Sequence, residues 1–183
     1  MRISLLLGMI ALLGACTERA PSPAAPSTAG TVAAEGPALD ASKLLSAEGI
    51  GAIRFGMTLA QAQQAVGAKA SLPQPFDPAC SMVRFAGLPK LRFMVENGIV
   101  TRADAEAGVE NALGIAVGDS LATVRARHPE AQVTPHKYDE NGHYLTFPGA
   151  EGRAAIILEA SGDKVTTIRA GLEPSVAYVE TCM

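Results

Sequence analysis

Ile53-Arg54-Phe55-Gly56-Met57-Thr58-Leu59-Ala60-Gln61-Ala62-Gln63-Gln64-Ala65-Val66-Gly67 is the stretch whose reading decides the fold. Ile53 and Phe55 alternate with Ala52 and Arg54, the period-2 pattern of a half-buried strand. Thr58 stands three residues before Gln61, the spacing at which a hydroxyl and an amide cap a helix start reciprocally. Leu59, Ala62 and Val66 then recur at helical spacing, and Gly67 closes the segment. The expected helix is short, and its small apolar face needs a sheet to pack on.

A degenerate copy follows about sixty residues later as Ile115-Ala116-Val117-Gly118-Asp119-Ser120-Leu121-Ala122-Thr123-Val124-Arg125-Ala126-Arg127-His128-Pro129. Ser120 takes the place of Thr58, and Leu121, Val124 and His128 take those of Leu59, Ala62 and Val66. The echo extends further, since residues 93–98 have a counterpart in 157–162. The domain therefore reads as a tandem duplication.

Strand signals fill the space after each helix. Residues 82–85, 91–96 and 99–105 alternate apolar and polar side chains, and Asn97-Gly98 is a strong hairpin turn, so a three-stranded antiparallel meander is expected. In the second half the strands fall at 133–138, 143–147, 154–159 and 164–170, with a closing strand at 176–182. Leu44 and Leu45 suit a turn of helix before the first strand. The fold class is α+β: two tandem βαβββ-like repeats, about 49–106 and 112–182, with antiparallel sheet packed on short helices. Whether the repeats share one continuous sheet is left to the tertiary structure.

The chain has 183 residues, 48% of them apolar, enough for a packed core, but only 4% aromatic. A net charge of -3 gives no basic footprint, which argues against nucleic acid as a partner and against polybasic membrane attachment.

Residues 1–15 read as an export signal: Arg2 provides the positive start, and residues 3–13 form an apolar run too short to span a bilayer. Leu13-Gly14-Ala15-Cys16 resembles the bacterial lipobox, in which cleavage falls before a Cys carrying diacylglycerol on its sulfur. The alternatives are an ordinary secretory signal with an incidental Cys or an uncleaved apolar start. Thr17 stands where an Asp would resemble the inner-membrane retention signal, so by that resemblance an outer-membrane lipoprotein facing the periplasm is expected, held by its acyl chains. Residues 16–41, rich in Ala, Pro, Ser and Thr, read as the lipidated Cys and a flexible tether. The globular domain then spans 42–183.

With Cys16 assigned to lipid, Cys80 and Cys182 remain, either as one disulfide or as two free thiols. An oxidising envelope compartment favours the disulfide, which would tie the C-terminal segment back to the first repeat.

The run 53–67, with Gly56-Met57-Thr58 before a short helix and an Asn97-Gly98 meander after it, resembles the repeat of the beta-lactamase-inhibitor-protein-like superfamily. That superfamily includes the small outer-membrane assembly lipoproteins of the SmpA/OmlA kind. The chain also resembles a widespread group of bacterial envelope proteins in which two such units are joined. The resemblance covers about 49–182 and implies protein binding without cofactors or catalysis. The chain departs from the inhibitors in having few aromatic anchors.

The cluster most suggestive of chemistry is Pro135-His136-Lys137-Tyr138-Asp139-Glu140-Asn141-Gly142-His143-Tyr144. If Asp139 to Gly142 form a four-residue loop, Tyr138 pairs with His143, and His136 lies diagonally on the same face. His136, Tyr138, Asp139, His143 and Tyr144 would then form one binding patch for a protein, a small ligand or, with a loop carboxylate, a metal. The bland alternative is a polar hairpin with cross-strand aromatic packing. His128 suits a half-buried helix end, and Asp119 local support of a helix start. No Gly-x-Ser-x-Gly, phosphate loop, His-Glu-x-x-His or Cys-x-x-Cys occurs, so no catalytic or metal residue is assigned and no cofactor is expected. The leading expectation is a non-catalytic module that binds an envelope protein. An inhibitor or small-ligand or metal sensor using the 136–144 hairpin is the second, and an enzyme with an unrecognised site the third.

Overall fold

Thr58 and Gln61 form the expected capping box: the Thr58 hydroxyl accepts from the Gln61 backbone N–H while the Gln61 side chain accepts from that of Thr58. The helix they start, α1 (Leu59–Val66), ends on Gly67 at φ 66°, a left-handed conformation that a Cβ would strain. The second helix, α2 (Leu121–Arg127), is capped by Ser120 and closes on His128. These elements belong to a computed structural model that describes residues 43–182. The export signal 1–15, Cys16 and the 16–41 tether lie outside the described residues.

The strands are β1 (Gly49–Ile50), β2 (Ile53–Arg54), β3 (Ala70–Ser71), β4 (Cys80–Phe85), β5 (Leu91–Glu96), β6 (Ile99–Ala105), β7 (Gln132–Pro135), β8 (His143–Pro148), β9 (Ala154–Ser161) and β10 (Lys164–Leu172). β1 and β2 pair as a small ribbon, and the other eight form one sheet in the order β3-β4-β5-β6-β10-β9-β8-β7. All pairings in it are antiparallel. The architecture is thus α+β and mainly β. The two halves join where β6 meets β10, with Ile168 opposite Ala105 and Gly171 opposite Arg102.

The meander is as expected, turned by Asn97 at φ 49° and Gly98 at φ 80°, the paired positive angles that match a hairpin's twist. Other expectations need correction. The first helix is followed by four strands, not three, because Ala70 and Ser71 add a short edge strand beside Phe85 and Arg84, and the second is followed by the four expected before the closing segment. Ile115 is buried but Ile115 and Val117 form no strand. Leu45 is not helical: its N–H donates to Glu110 O, and its carbonyl accepts from Ala112 N. Residues 176–182 are not a closing strand either. After β10 the chain makes a short 3-10 turn, Ser175–Ala177, and then runs on irregularly.

Alternation assigns the faces. Val83, Phe85, Leu91, Phe93, Leu145, Ile156, Leu158 and Ile168 are buried on one face together with Ala62, Leu121 and Val124 of the helices. Burying each large side chain contributes roughly 1.5–3 kcal/mol, so this face holds most of the stabilising area. Phe85 and Phe93 meet edge to face at 5.3 Å. Each helix start hangs on the final hairpin of its half. Gly56 N donates to Val100 O, Val100 N to Met57 O and Leu59 N to Gly98 O. In the second half Gly118 N donates to Val165 O, Val165 N to Asp119 O and Leu121 N to Asp163 O.

The opposite face is unusual for a sheet surface. Arg102, Asp104 and Arg169 lie there and are buried, because the chain after β10, residues 173–182, is laid across them as a strap.

Candidate functional site

A guanidinium taken out of water needs its donors paired, and here the strap supplies the acceptors. Arg102, on β6, donates through Nη1 to Tyr178 O at 2.6 Å and to Ser175 O at 3.3 Å, and through Nε to Asp104 Oδ1 at 2.5 Å. Arg169, opposite Asp104 on β10, donates through Nε to Val176 O at 2.6 Å and through Nη1 to the Glu159 carboxylate. Ser175 donates from its hydroxyl to Glu96, which also accepts from Thr101 Oγ1 at 2.6 Å. The strap end is held covalently: Cys80 and Cys182 form the disulfide, their Cα atoms 5.3 Å apart. Cys80 stands opposite Glu96 on the same face, so the bond closes the strap across the sheet from β10 to β4.

Beneath the strap lies a cavity of about 330 Å³ whose lining includes Arg92, Arg102, Asp104, Glu159, Thr167 and Arg169. Val179 and Thr181 of the strap complete it.

The hairpin singled out in the sequence borders this region, but not in the expected register. Pro135 pairs with His143 and Thr134 with Tyr144, and His136 N donates to Gly142 O. Tyr138 therefore does not pair with His143. The loop is wider than four residues because His136 Nδ1 accepts from the backbone N–H groups of both Tyr138 and Asp139, each at 3.1 Å, which folds the chain over the ring. The shift separates the histidines. His136 falls on the strap face, stacked on Tyr144 at 4.6 Å, while His143 falls on the helix face opposite Ala160 with its Nδ1 buried and without a hydrogen-bond partner among the described residues.

Four of the five patch residues remain on or beside one surface. Tyr144 stands opposite Glu159, and the Arg169 guanidinium lies 5.7 Å from its ring centre, so the stack His136–Tyr144–Arg169–Glu159 joins the hairpin to the buried charges. Tyr138 is 64% exposed, yet its hydroxyl donates to Glu180 of the strap and Lys137 Nζ lies 4.7 Å above its ring. Lys137 also pairs with Glu180 at 3.3 Å. Asp139 accepts from Ser161 Oγ at 2.6 Å and from Asn141 N at 2.9 Å.

These contacts shift the exposed carboxylates in one direction. The Tyr138 hydroxyl, then a local backbone N–H, then Lys137 hold the Glu180 carboxyl below its usual range. The Ser161 hydroxyl and the Asn141 N–H do the same for Asp139. Tyr138, followed by Glu180, raises the Lys137 ammonium.

The remaining candidates have local roles. His128 caps α2, its Nε2 donating to Leu113 O at 2.8 Å and Nδ1 lying 3.0 Å from Glu130, with Phe147 edge-on at 5.4 Å. Asp119 Oδ2 accepts from Ala116 N at 2.9 Å just before the Ser120 cap. Among the described residues no group of three or more His, Cys, Asp or Glu is arranged to hold a metal ion.

Sequence reasoning missed Arg102, Asp104, Glu159 and Arg169. In strands that alternate in and out, these positions read as an ordinary solvated face, and only the strap makes them interior. Comparison of the chain with models of protein families, with curated proteins and with solved structures finds no match.

Proposed function

We propose that this chain is a lipid-anchored module of a bacterial envelope, an outer-membrane lipoprotein facing the periplasm that binds a protein partner without catalysis. The observation that carries the reading is Tyr138: a large side chain 64% exposed yet held from two sides by Glu180 and Lys137. An aromatic fixed in place loses little conformational entropy on binding, which is what an interface anchor requires. Edge strand β7 lies beside it with all four residues exposed, Val133 among them. Its bonds to β8 use alternate residues, so Val133 presents its backbone N–H and carbonyl outward, and Pro135 limits how far a partner strand extends. A partner segment would add along this edge and pack over Tyr138.

The anchor rests on Arg2, the apolar run and the Leu13-Gly14-Ala15-Cys16 motif. A duplication of one ancestral unit is part of the same reading. It is supported by the matched sequences 53–67 and 115–129 and by the two sets of three backbone bonds that hang α1 and α2 on their hairpins. The resemblance to the SmpA/OmlA kind points the same way, towards protein contact on a sheet surface.

Crosslinking mass spectrometry in the native envelope tests the binding. Crosslinks from the 133–144 region to one protein should fall about tenfold in Tyr138→Ala, and Leu72→Ala, at the other edge of the sheet, should leave them unchanged. Equal crosslinking in both variants refutes the surface. Mass spectrometry of the mature N-terminus tests the anchor, and an unmodified Cys16 refutes it.

A further inference from the structure

Arg102 and Arg169 are 2% and 1% exposed, yet neither is fully used. Nε and Nη1 of each guanidinium are bonded, whereas Nη2 of each carries no hydrogen bond among the described residues. Both side chains line the cavity under the strap. Neither Nη2 is a buried unpaired atom, so each opens onto the cavity, where its N–H groups are available to solvent or to a ligand.

The charges around the cavity are uneven. Asp104 answers Arg102 at 2.5 Å and Arg92 only at 3.6 Å, and Glu159 answers Arg169. Glu106, also in the lining, is bonded at 2.7 Å to Arg84, which is outside it, and interacts more weakly with Arg92. With Arg84 counted, four guanidinium groups therefore face three carboxylates, an excess of one positive charge. Hydroxyls stand nearby for a reason of backbone geometry: the register of β10 against β9 shifts between Val165 and Thr167, and this extra residue puts Thr166 and Thr167 both at the cavity. Thr166 is engaged, donating to Glu159 O at 3.2 Å. Thr167 carries no such bond among the described residues, and Thr181 approaches from the strap.

From this arrangement we infer that the cavity under the strap is a binding site for a small oxyanion, a carboxylate or phosphate group, received by Arg92 and the free Nη2 edges of Arg102 and Arg169 with Thr167 as a neutral donor. Charge-assisted bonds from guanidinium to such oxygens are short and directional. The volume of about 330 Å³ has room for such a group with or without a small organic body. This site is separate from the partner surface on β7 and Tyr138, and either stands without the other.

Thermal melting and NMR titration with succinate and with inorganic phosphate, each against sodium chloride at equal ionic strength, test it. One of the two probes should raise Tm by several degrees beyond chloride and shift the side-chain signals of Arg102 and Arg169, and which one does so identifies the chemistry. Arg92→Gln, a half-exposed position whose loss leaves the fold intact, should weaken that probe about tenfold, and Thr167→Val should weaken it by less. Lys69→Gln, an equal charge change on an exposed residue, should have no effect. Responses to both probes indistinguishable from chloride overturn the inference, as does an Arg92→Gln variant that titrates like Lys69→Gln.

Discussion

Removing the Cys80–Cys182 bond tests how the strap is held. The two residues are 102 apart in sequence, so the bond closes a very long loop in the unfolded chain. Chain-entropy reasoning for a loop of that length gives about 4.7 kcal/mol of stabilisation at 25 °C. A folded domain of roughly 140 residues unfolds with about 0.3 kcal/mol per kelvin of entropy, so the loss corresponds to a fall in Tm of about 15 °C. The native state should survive, because Arg102 and Arg169 still hold the strap through the carbonyls of Ser175, Val176 and Tyr178. Thermal melts of Cys182→Ser, of Cys80→Ser and of the wild type with reductant should therefore agree with one another and lie far below the oxidised protein. A fall of less than about 3 °C refutes the reasoning, since a bond across such a loop contributes little only if it strains the fold or is absent. Thiol titration of the denatured protein separates those two causes.

Arg102→Ala leaves buried Asp104 with only the 3.6 Å contact to Arg92 and takes the Arg102 donor from the carbonyls of Ser175 and Tyr178, so it should destabilise by about 3 kcal/mol in urea unfolding. Gly171→Ala brings a Cβ within 2.4 Å of Thr101 O and 2.7 Å of Arg102 Cα, forcing β6 and β10 apart. The expected cost is about 1–3 kcal/mol or more, read as a drop in urea midpoint, with faster amide exchange at the centre of the sheet. For Glu180, whose carboxyl is held below its ordinary 4.5, the contribution of the Tyr138 and Lys137 contacts is complete above that value. It is lost as pH falls through the depressed folded value, so the Tyr138 ring signals should move to their Glu180→Gln positions only below pH 4.5. A midpoint at or above the ordinary value contradicts the contact.

Short-range patterns were sufficient for the local elements. Thr58 and Gln61 set the start of α1 and Gly67 its end, Asn97-Gly98 set a turn, and alternation along 91–105 set two strands, because each depends on side chains within a few residues of one another. The Cys80–Cys182 disulfide was one of two readings the sequence allowed, beside two free thiols, and the structure forms the bond. The hairpin register was not: the stacking of His136 on Tyr144 and the capture of two N–H groups by its Nδ1 widen the loop, and that balance is absent from the spacing alone.

What the sequence by itself determined is therefore the set of pieces: two capped helices and most of the strands after them. The tertiary structure decided the rest. Joining β6 to β10 turns two halves into one sheet through contacts more than sixty residues apart in sequence, which no local period encodes. The strap then converts Arg102 and Arg169 from surface residues into buried donors, because burial depends on what another part of the chain lays over a side chain and not on the side chain itself.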